Sequence, residues 1–499
     1  MKILIHTVAV ILSPVLLACG GSRPADAEKT GSMPPLFPDY IGVTVPPNVA
    51  PLNFEVEGAD EVWVELATSD GKDILLKTGG KYADFPIKKW HKALEAVAGD
   101  ILRVTVYAKI EGEWREFKPF NINVTPGKLP DHGLTYRRIA PGYETYSKMG
   151  IYQRDLSTFD EEAIIENSLT ETNSCINCHT SNRGNPAQCT FHMRGKMGGT
   201  YVKGGNPDID GEWYDVVSDS LISGLVYPYW HPSGKYCAYS NNTTSQGFIN
   251  TAGHPVEVYD GKSDIVLLDV ANRSIVTSPL LKNSGVSENT PAFSPDGKWL
   301  YFITAPEVKF PEQYKDIKYN ICRIGFDETK GAFGNSVDTL FNASAIGKSA
   351  TWPRPSYDGK RLLFTLADYG YFSVWHPEAE QWIMDLDTGE AKPISDDKVS
   401  AKGSYHNWST DSRWIVFTSR HGNDEAENGD ERYTRLYLAY VDENGEVGKP
   451  FLLPQKNPRQ YYDETLYSFN TPDFTHEKVD YDARKSMRKL KEGKQKLSY

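Results

Sequence analysis

Four segments of this chain repeat one another, and no other feature narrows its fold as far. They are Trp230-His-Pro-Ser-Gly-Lys-Tyr-Cys-Ala-Tyr-Ser, Phe293-Ser-Pro-Asp-Gly-Lys-Trp-Leu-Tyr-Phe-Ile, Pro355-Ser-Tyr-Asp-Gly-Lys-Arg-Leu-Leu-Phe-Thr and Trp408-Ser-Thr-Asp-Ser-Arg-Trp-Ile-Val-Phe-Thr. Each reads as the end of one strand, a tight turn and a second strand. Pro and Asp suit the early turn positions, and Gly supplies the positive φ that closes the turn. A third strand follows each unit: Asp264-Ile-Val-Leu-Leu-Asp, Tyr319-Asn-Ile-Cys-Arg-Ile, Gln381-Trp-Ile-Met-Asp-Leu-Asp and Thr434-Arg-Leu-Tyr-Leu-Ala-Tyr. Fourth strands are expected near Ser278, Thr339, Lys392 and Pro450. Four-stranded units recurring every ~50–65 residues predict a β-propeller. A weaker unit at 199–224 and a closing stretch at 461–474 bring the expected number of blades to six.

The Ser-Pro-Asp-Gly-Lys turn resembles the TolB-like (WD40-like) propeller repeat, over residues 227–453. The resemblance implies an all-β fold in which the residues before each turn form the innermost strand of a blade and line a central channel. Aligning the turns puts Tyr227, Thr290, Trp352 and Tyr405 in one register. Tyr229, Ala292, Arg354 and Asn407 fall in a second, and His231, Ser294, Ser356 and Ser409 in a third. Trp352, Arg354, Tyr405, His406 and Asn407 are the expected channel residues for binding a ligand or partner.

Upstream, residues 36–126 predict a small β-sandwich domain. Glu61-Val-Trp-Val-Glu-Leu and Ile101-Leu-Arg-Val-Thr-Val-Tyr-Ala alternate with period two, and one short helix is expected near 88–98. Residues 127–200 predict a loop-rich segment with a helix around 160–168, residues 201–475 the propeller, and residues 476–499 a basic tail. From Lys478 that tail holds eight Lys/Arg against three Asp/Glu, which predicts a solvated helix. Residues 421–431 read as a polar insertion.

The first residues are an export signal. Lys2 precedes an almost wholly apolar stretch, and Leu16-Leu17-Ala18-Cys19 is followed by Gly20-Gly21-Ser22. This ending resembles a bacterial lipobox. It implies a signal peptide at 1–18, lipidation of Cys19, a tether over 19–35 and a membrane contact made through acyl chains. Gly at position 20 favours, by analogy, an outer-membrane lipoprotein facing the periplasm.

Outside the cytoplasm, cysteines are expected as disulfides or ligands. Removing Cys19 leaves Cys175, Cys178, Cys189, Cys237 and Cys322, an odd number. Cys175-Ile-Asn-Cys178-His179 resembles the haem attachment site of c-type cytochromes. That resemblance implies haem c on Cys175 and Cys178 with His179 on the iron. His192 or Met193 is then the candidate sixth ligand, and Arg194 a partner for a propionate. A competing pattern, Cys175, Cys178, Cys189 and His192, has the spacing of tetrahedral zinc. A plain Cys175–Cys178 disulfide is the third option.

Composition removes some classes. A formal charge of -12 argues against general nucleic-acid binding. There is no Gly-x-Ser-x-Gly elbow, P-loop or Rossmann fingerprint. As a whole the chain is similar to exported TolB-like propeller lipoproteins of the Bacteroidetes that carry a Cys-x-x-Cys-His motif. Two functions remain: a haem c electron carrier or redox sensor with an envelope protein partner, and a non-enzymatic propeller binding protein or glycan, its Cys segment stapled by zinc or a disulfide. A haem with an open coordination position would permit an enzyme.

Overall fold

The computed structural model describes residues 23–140, 148–170, 174–204, 211–216, 221–249, 254, 256–395, 401–421 and 433–499. Cys19 and almost all of the 421–431 insertion lie outside the described residues. No described helix is long and apolar enough to cross a membrane.

From residue 133 onward the described residues form six sheets of four or five strands. The repeat units supply four of them. Their inner strands are Leu225–Trp230, Val286–Phe293, Ser349–Pro355 and Gly403–Trp408. The other two come from residues expected to be loop-rich. Cys175–Asn182, Asn185–Arg194, Gly199–Lys203 and Glu212–Asp215 make one blade, starting at the Cys-x-x-Cys-His stretch rather than at residue 199. Gly133–Ile139, Met149–Asp155 and Glu161–Glu166 make the outer strands of the other. Its inner strand, Ser468–Thr475, comes from the far end of the chain. Inner strands of neighbouring sheets pack against one another all the way round, so the ring is closed. The described residues form a β-propeller with joined ends, which leaves no sheet edge open at the seam.

The helix expected around 160–168 is instead the strand Glu161–Glu166 plus a single 3-10 turn, Asn167–Leu169. Pairing with Met149–Asp155 overrides the local helical pattern. Inner and second strands are buried on both faces. All six residues of Gly403–Trp408 and of Trp414–Ser419 are buried; the second strand begins as the apolar run Trp-Ile-Val-Phe, while the inner strand buries the polar Ser404, His406 and Asn407 toward the axis.

The turns close as their residues require. Ser294 Oγ donates to Asp296 Oδ1 at 2.6 Å and accepts from Trp299 N at 3.0 Å, while Gly297 takes φ 74°. Ser356 and Ser409 repeat the arrangement with Asp358 and Asp411. In the first repeat His231 takes the place of serine, its Nδ1 2.7 Å from Ser233 Oγ.

The N-terminal residues form one seven-stranded sheet and a separate strand pair, Leu36–Phe37 with Glu55–Val56. The helix Ile87–Ala96 packs its fully buried Trp90 into the same core. That core continues into Trp414, Val416, Leu436 and Phe451 of the sixth blade, so this domain is docked on the propeller. The basic tail is likewise no free helix. Ala483–Glu492 buries Met487 and Leu490 beside Trp213 and Phe191, and Trp213 Nε1 donates to Ser486 O at 3.1 Å. Gln495–Lys496 then extends the second blade in parallel.

Candidate functional site

Each inner strand carries an irregularity at nearly the same place. In five of the six, two residues face one on the partner strand: 178–179, 227–228, 290–291, 352–353 and 471–472. In the sixth the shift falls one residue earlier, between Gly403 and His406. The first bulged residue of each of the five has a left-handed backbone: Cys178 (φ 56°), Tyr227 (50°), Thr290 (47°), Trp352 (57°) and Thr471 (47°). A bulge re-aims side chains. Here the bulges turn one row of residues toward the propeller axis.

This register explains the sequence. The second bulged position is Pro228, Pro291, Pro353 and Pro472 in four strands, and His179 is its counterpart in the Cys-x-x-Cys-His strand. Aligned by its turn, the last repeat has His406 there. Proline is tolerated at a bulge because the ladder does not need its missing N–H. Cys178-His179 is thus the second blade's counterpart of the Tyr-Pro, Thr-Pro and Trp-Pro pairs of the other blades. The two registers read from the turns hold, and the structure adds Cys178 and Thr471 to the first, Thr180 and Asp473 to the second. Sequence alignment missed these because neither strand is followed by a Ser-Pro-Asp-Gly turn.

The row surrounds an axial cavity of about 40 Å³ lined by Cys178, His179, Trp352, Arg354, Tyr405, His406, Asn407 and Asp473, among others. All five expected channel residues are there. Aromatic rings form one wall, with Trp352 edge-on to Tyr227 at 4.8 Å and to Tyr405 at 5.0 Å between centroids. Polar groups form the other. Asp473 Oδ1 accepts from Asn407 Nδ2 at 2.8 Å, and its Oδ2 accepts from Ser181 N at 3.0 Å and Thr180 Oγ1 at 3.1 Å. Burial pushes the Asp473 carboxyl up to about 6, against the opposing pull of those donors. His406 is held with Nε2 2.8 Å from Trp352 O, and burial takes its pKa down to about 3. Burial also takes His179 down to about 4, only partly offset by the Thr135 backbone. Among the described residues the His179 ring nitrogens have no well-formed hydrogen bond, the Thr135 backbone being the group that faces them.

Arg354 is the channel's cation. It lies over the Tyr229 ring at 5.3 Å and the Trp352 ring at 5.8 Å. Its polar partner among the described residues is the Pro353 carbonyl, 3.0 Å from Nη1, and no described carboxylate pairs with it. Burial depresses its pKa.

The remaining sequence candidates are dispersed. The hairpin sets Cys175 opposite Arg194 but Cys189 opposite Ser181, five residues further along, or ~16 Å at strand rise. Cys175, Cys178, Cys189 and His192 therefore do not converge, and the zinc set is not assembled. His192 Nδ1 lies 2.9 Å from Thr200 Oγ1, and its ring packs on Gly224. Met193 is buried with Ile151, Ile176 and Trp213 between blades. Arg194 stands at the end of its strand, within electrostatic reach of Cys178, Cys175 and Tyr227. Cys175 and Cys178 are free thiols.

Nor does haem fit. Cys178 is sealed among Tyr227, Trp352 and Tyr405, and Arg137 Nη2 lies 3.2 Å from Cys175 Sγ. A cavity of about 40 Å³ holds a few waters, since one needs roughly 10–15 Å³. A porphyrin bound to both sulfurs has no space.

No family model and no curated protein matches the chain. Solved structures with a loose likeness include TolB from Acinetobacter baumannii, at 14% identity and TM-score 0.43 over 79% of this chain and 86% of that one. The hypothetical selenium-binding protein from Sulfolobus tokodaii has 12% identity and TM-score 0.37, over 85% and 95%. The periplasmic gluconolactonase of Pseudomonas aeruginosa has 13% identity and TM-score 0.32, over 68% and 99%. The fold assignment stands on the sheet topology, and these likenesses carry nothing about function.

Proposed function

We propose that this protein is an envelope lipoprotein whose propeller channel binds the carboxylate end of a small acid or of an envelope protein partner, without catalysing a reaction on it. Arg354 carries the reading: a half-buried guanidinium between two rings, attracted by Asp473 but in ion-pair contact with no described carboxylate. An anion entering the channel adds the direct partner that a partly desolvated charge lacks. The small cavity suits a carboxylate inserted end-on, with the rest of the ligand lying at the mouth. Rings from Tyr227, Trp352 and Tyr405 give the apolar wall that such sites generally combine with few polar groups. Cys178 and His179 belong to this wall. The lipobox-like Leu16-Leu17-Ala18-Cys19 supports anchoring through Cys19.

The test is titration calorimetry of the purified protein against short carboxylic acids, uronic acids and peptides with free C-termini. Arg354→Met is expected to weaken the best binder by ~30-fold or more, the loss of ~2 kcal/mol that removing one partner of a desolvated charge pair brings. Binding unchanged in Arg354→Met, or no acid binding at all, overturns the reading. Labelled palmitate incorporated by wild type and lost in Cys19→Ala checks the anchor.

A further inference from the structure

A second cluster of chemistry lies away from the channel cavity and was not apparent in the sequence. His254 precedes the long strand Val256–Asp269 of the third blade, and Glu257 is the second residue of that strand. His376 follows the 3-10 turn Ser373–Trp375 in the fifth blade. Both connections join a second strand to a third, so they emerge on the same face of the propeller.

We propose that His254, Glu257 and His376 form a binding site for one divalent transition-metal ion of the zinc type. Their ligand atoms all lie within 4.8 Å of one another. His254 Nε2 is 3.4 Å from Glu257 Oε2, and His376 Nε2 is 3.7 Å from Glu257 Oε1. Both separations are long for hydrogen bonds, which cluster at ~2.7–3.2 Å. They approach the ~3.3 Å between neighbouring ligand atoms on a tetrahedral ion with bonds of ~2.0–2.1 Å.

The surroundings point the same way. Glu257 and His376 are each 2% exposed, and His254 Nε2 is buried with no hydrogen-bond partner among the described residues. Outer groups orient the ligands. Tyr369 OH donates to Glu257 Oε2 at 2.6 Å, and Glu378 Oε1 stands 3.1 Å from His376 Nδ1. A carboxylate behind a ligating histidine fixes its tautomer and raises its basicity. Two histidines and one carboxylate leave a fourth position open. The inference is independent of the channel reading.

The test uses the full-length protein, stripped with a chelator, incubated with zinc chloride, dialysed and analysed for zinc. One zinc per chain is expected. His254→Gln and His376→Gln should each weaken zinc binding at least tenfold, while the Cys175→Ser/Cys178→Ser double variant keeps it. Circular dichroism checks folding. Should His376→Gln fail to fold, His254→Gln decides alone, because its side chain is 14% exposed and its loss leaves the blades intact. Zinc not retained by wild type overturns the proposal, as does zinc retained unchanged in His254→Gln or lost in the cysteine variant.

Discussion

Asn407 Nδ2 donates to Asp473 Oδ1 at 2.8 Å, and this bond ties the inner strand of the last repeat to the strand that closes the ring. Asn407 Oδ1 also accepts from Trp408 N at 2.9 Å, so the amide orientation is set. Asn407→Ala removes a donor from a buried carboxylate. The expected loss is about 1–3 kcal/mol, read as a lower midpoint in urea with an unchanged slope.

Two turn glycines separate backbone strain from crowding. Gly297 and Gly389 have nearly the same φ, 74° and 76°. A Cβ on Gly389 would meet nothing within 4 Å, while one on Gly297 would fall 2.3 Å from His231 Nε2. Gly389→Ala should cost ~1 kcal/mol, the left-handed penalty alone. Gly297→Ala should cost ~2–3 kcal/mol, because the His231 ring bridges two blades through Gly297 O at 3.1 Å. Equal losses in thermal melts would contradict this.

The buried histidines make stability sensitive to acid. His406 has a folded pKa of about 3, against ~6.5 when unfolded. Between those values the unfolded chain holds the extra proton, so this contribution is present above pH 6.5 and is lost as pH falls toward 3. One proton is worth ~1.4 kcal/mol per pH unit. The stability gap between wild type and His406→Gln should therefore narrow by ~2 kcal/mol from pH 6.5 to pH 5, in urea melts at both values. A constant gap would mean that His406 titrates in the folded protein as it does in the unfolded chain.

Asp473 has the opposite shift, and it bears on binding. Its folded pKa of about 6 makes it largely neutral at pH 5 and charged at pH 7. A carboxylate at Arg354 then meets less repulsion in acid. Binding of the best acid ligand, provided the ligand itself stays ionised, should tighten from pH 7 to pH 5 in wild type and much less in Asp473→Asn.

The Cys-x-x-Cys-His stretch gives a spectroscopic prediction. Protein made in a host that matures c-type cytochromes should show no covalent haem by pyridine haemochrome. A c-type spectrum lost in Cys178→Ala would show that the second blade opens to take a porphyrin, and would displace the carboxylate reading.

The repeats made the propeller legible because each turn depends on local chemistry: Ser294 and Asp296 bond within five residues, and Gly297 supplies its own φ. The two remaining blades were less visible. The Cys-x-x-Cys-His blade has an Asn-Arg-Gly turn instead, and Glu161–Glu166 carries a helical pattern that sheet pairing overrides. The five channel residues could be read by counting from the turns. Their neighbours Cys178, His179 and Asp473 could not, since two come from a motif with a stronger association elsewhere and one lies some sixty residues beyond the last repeat.

By itself, the sequence determined the repeat and which repeat residues share a register, because these follow from short-range turn geometry and strand alternation. Tertiary structure alone decided the rest. Closing the ring brings Ser468–Thr475 to Gly133–Ile139 and so places Asp473 beside Thr180 and Asn407. Inner-strand bulges turn Cys178 and His179 into the channel wall. Two distant connections bring His376 to His254 and Glu257. Such contacts depend on how whole sheets pack around an axis, and no local pattern encodes that.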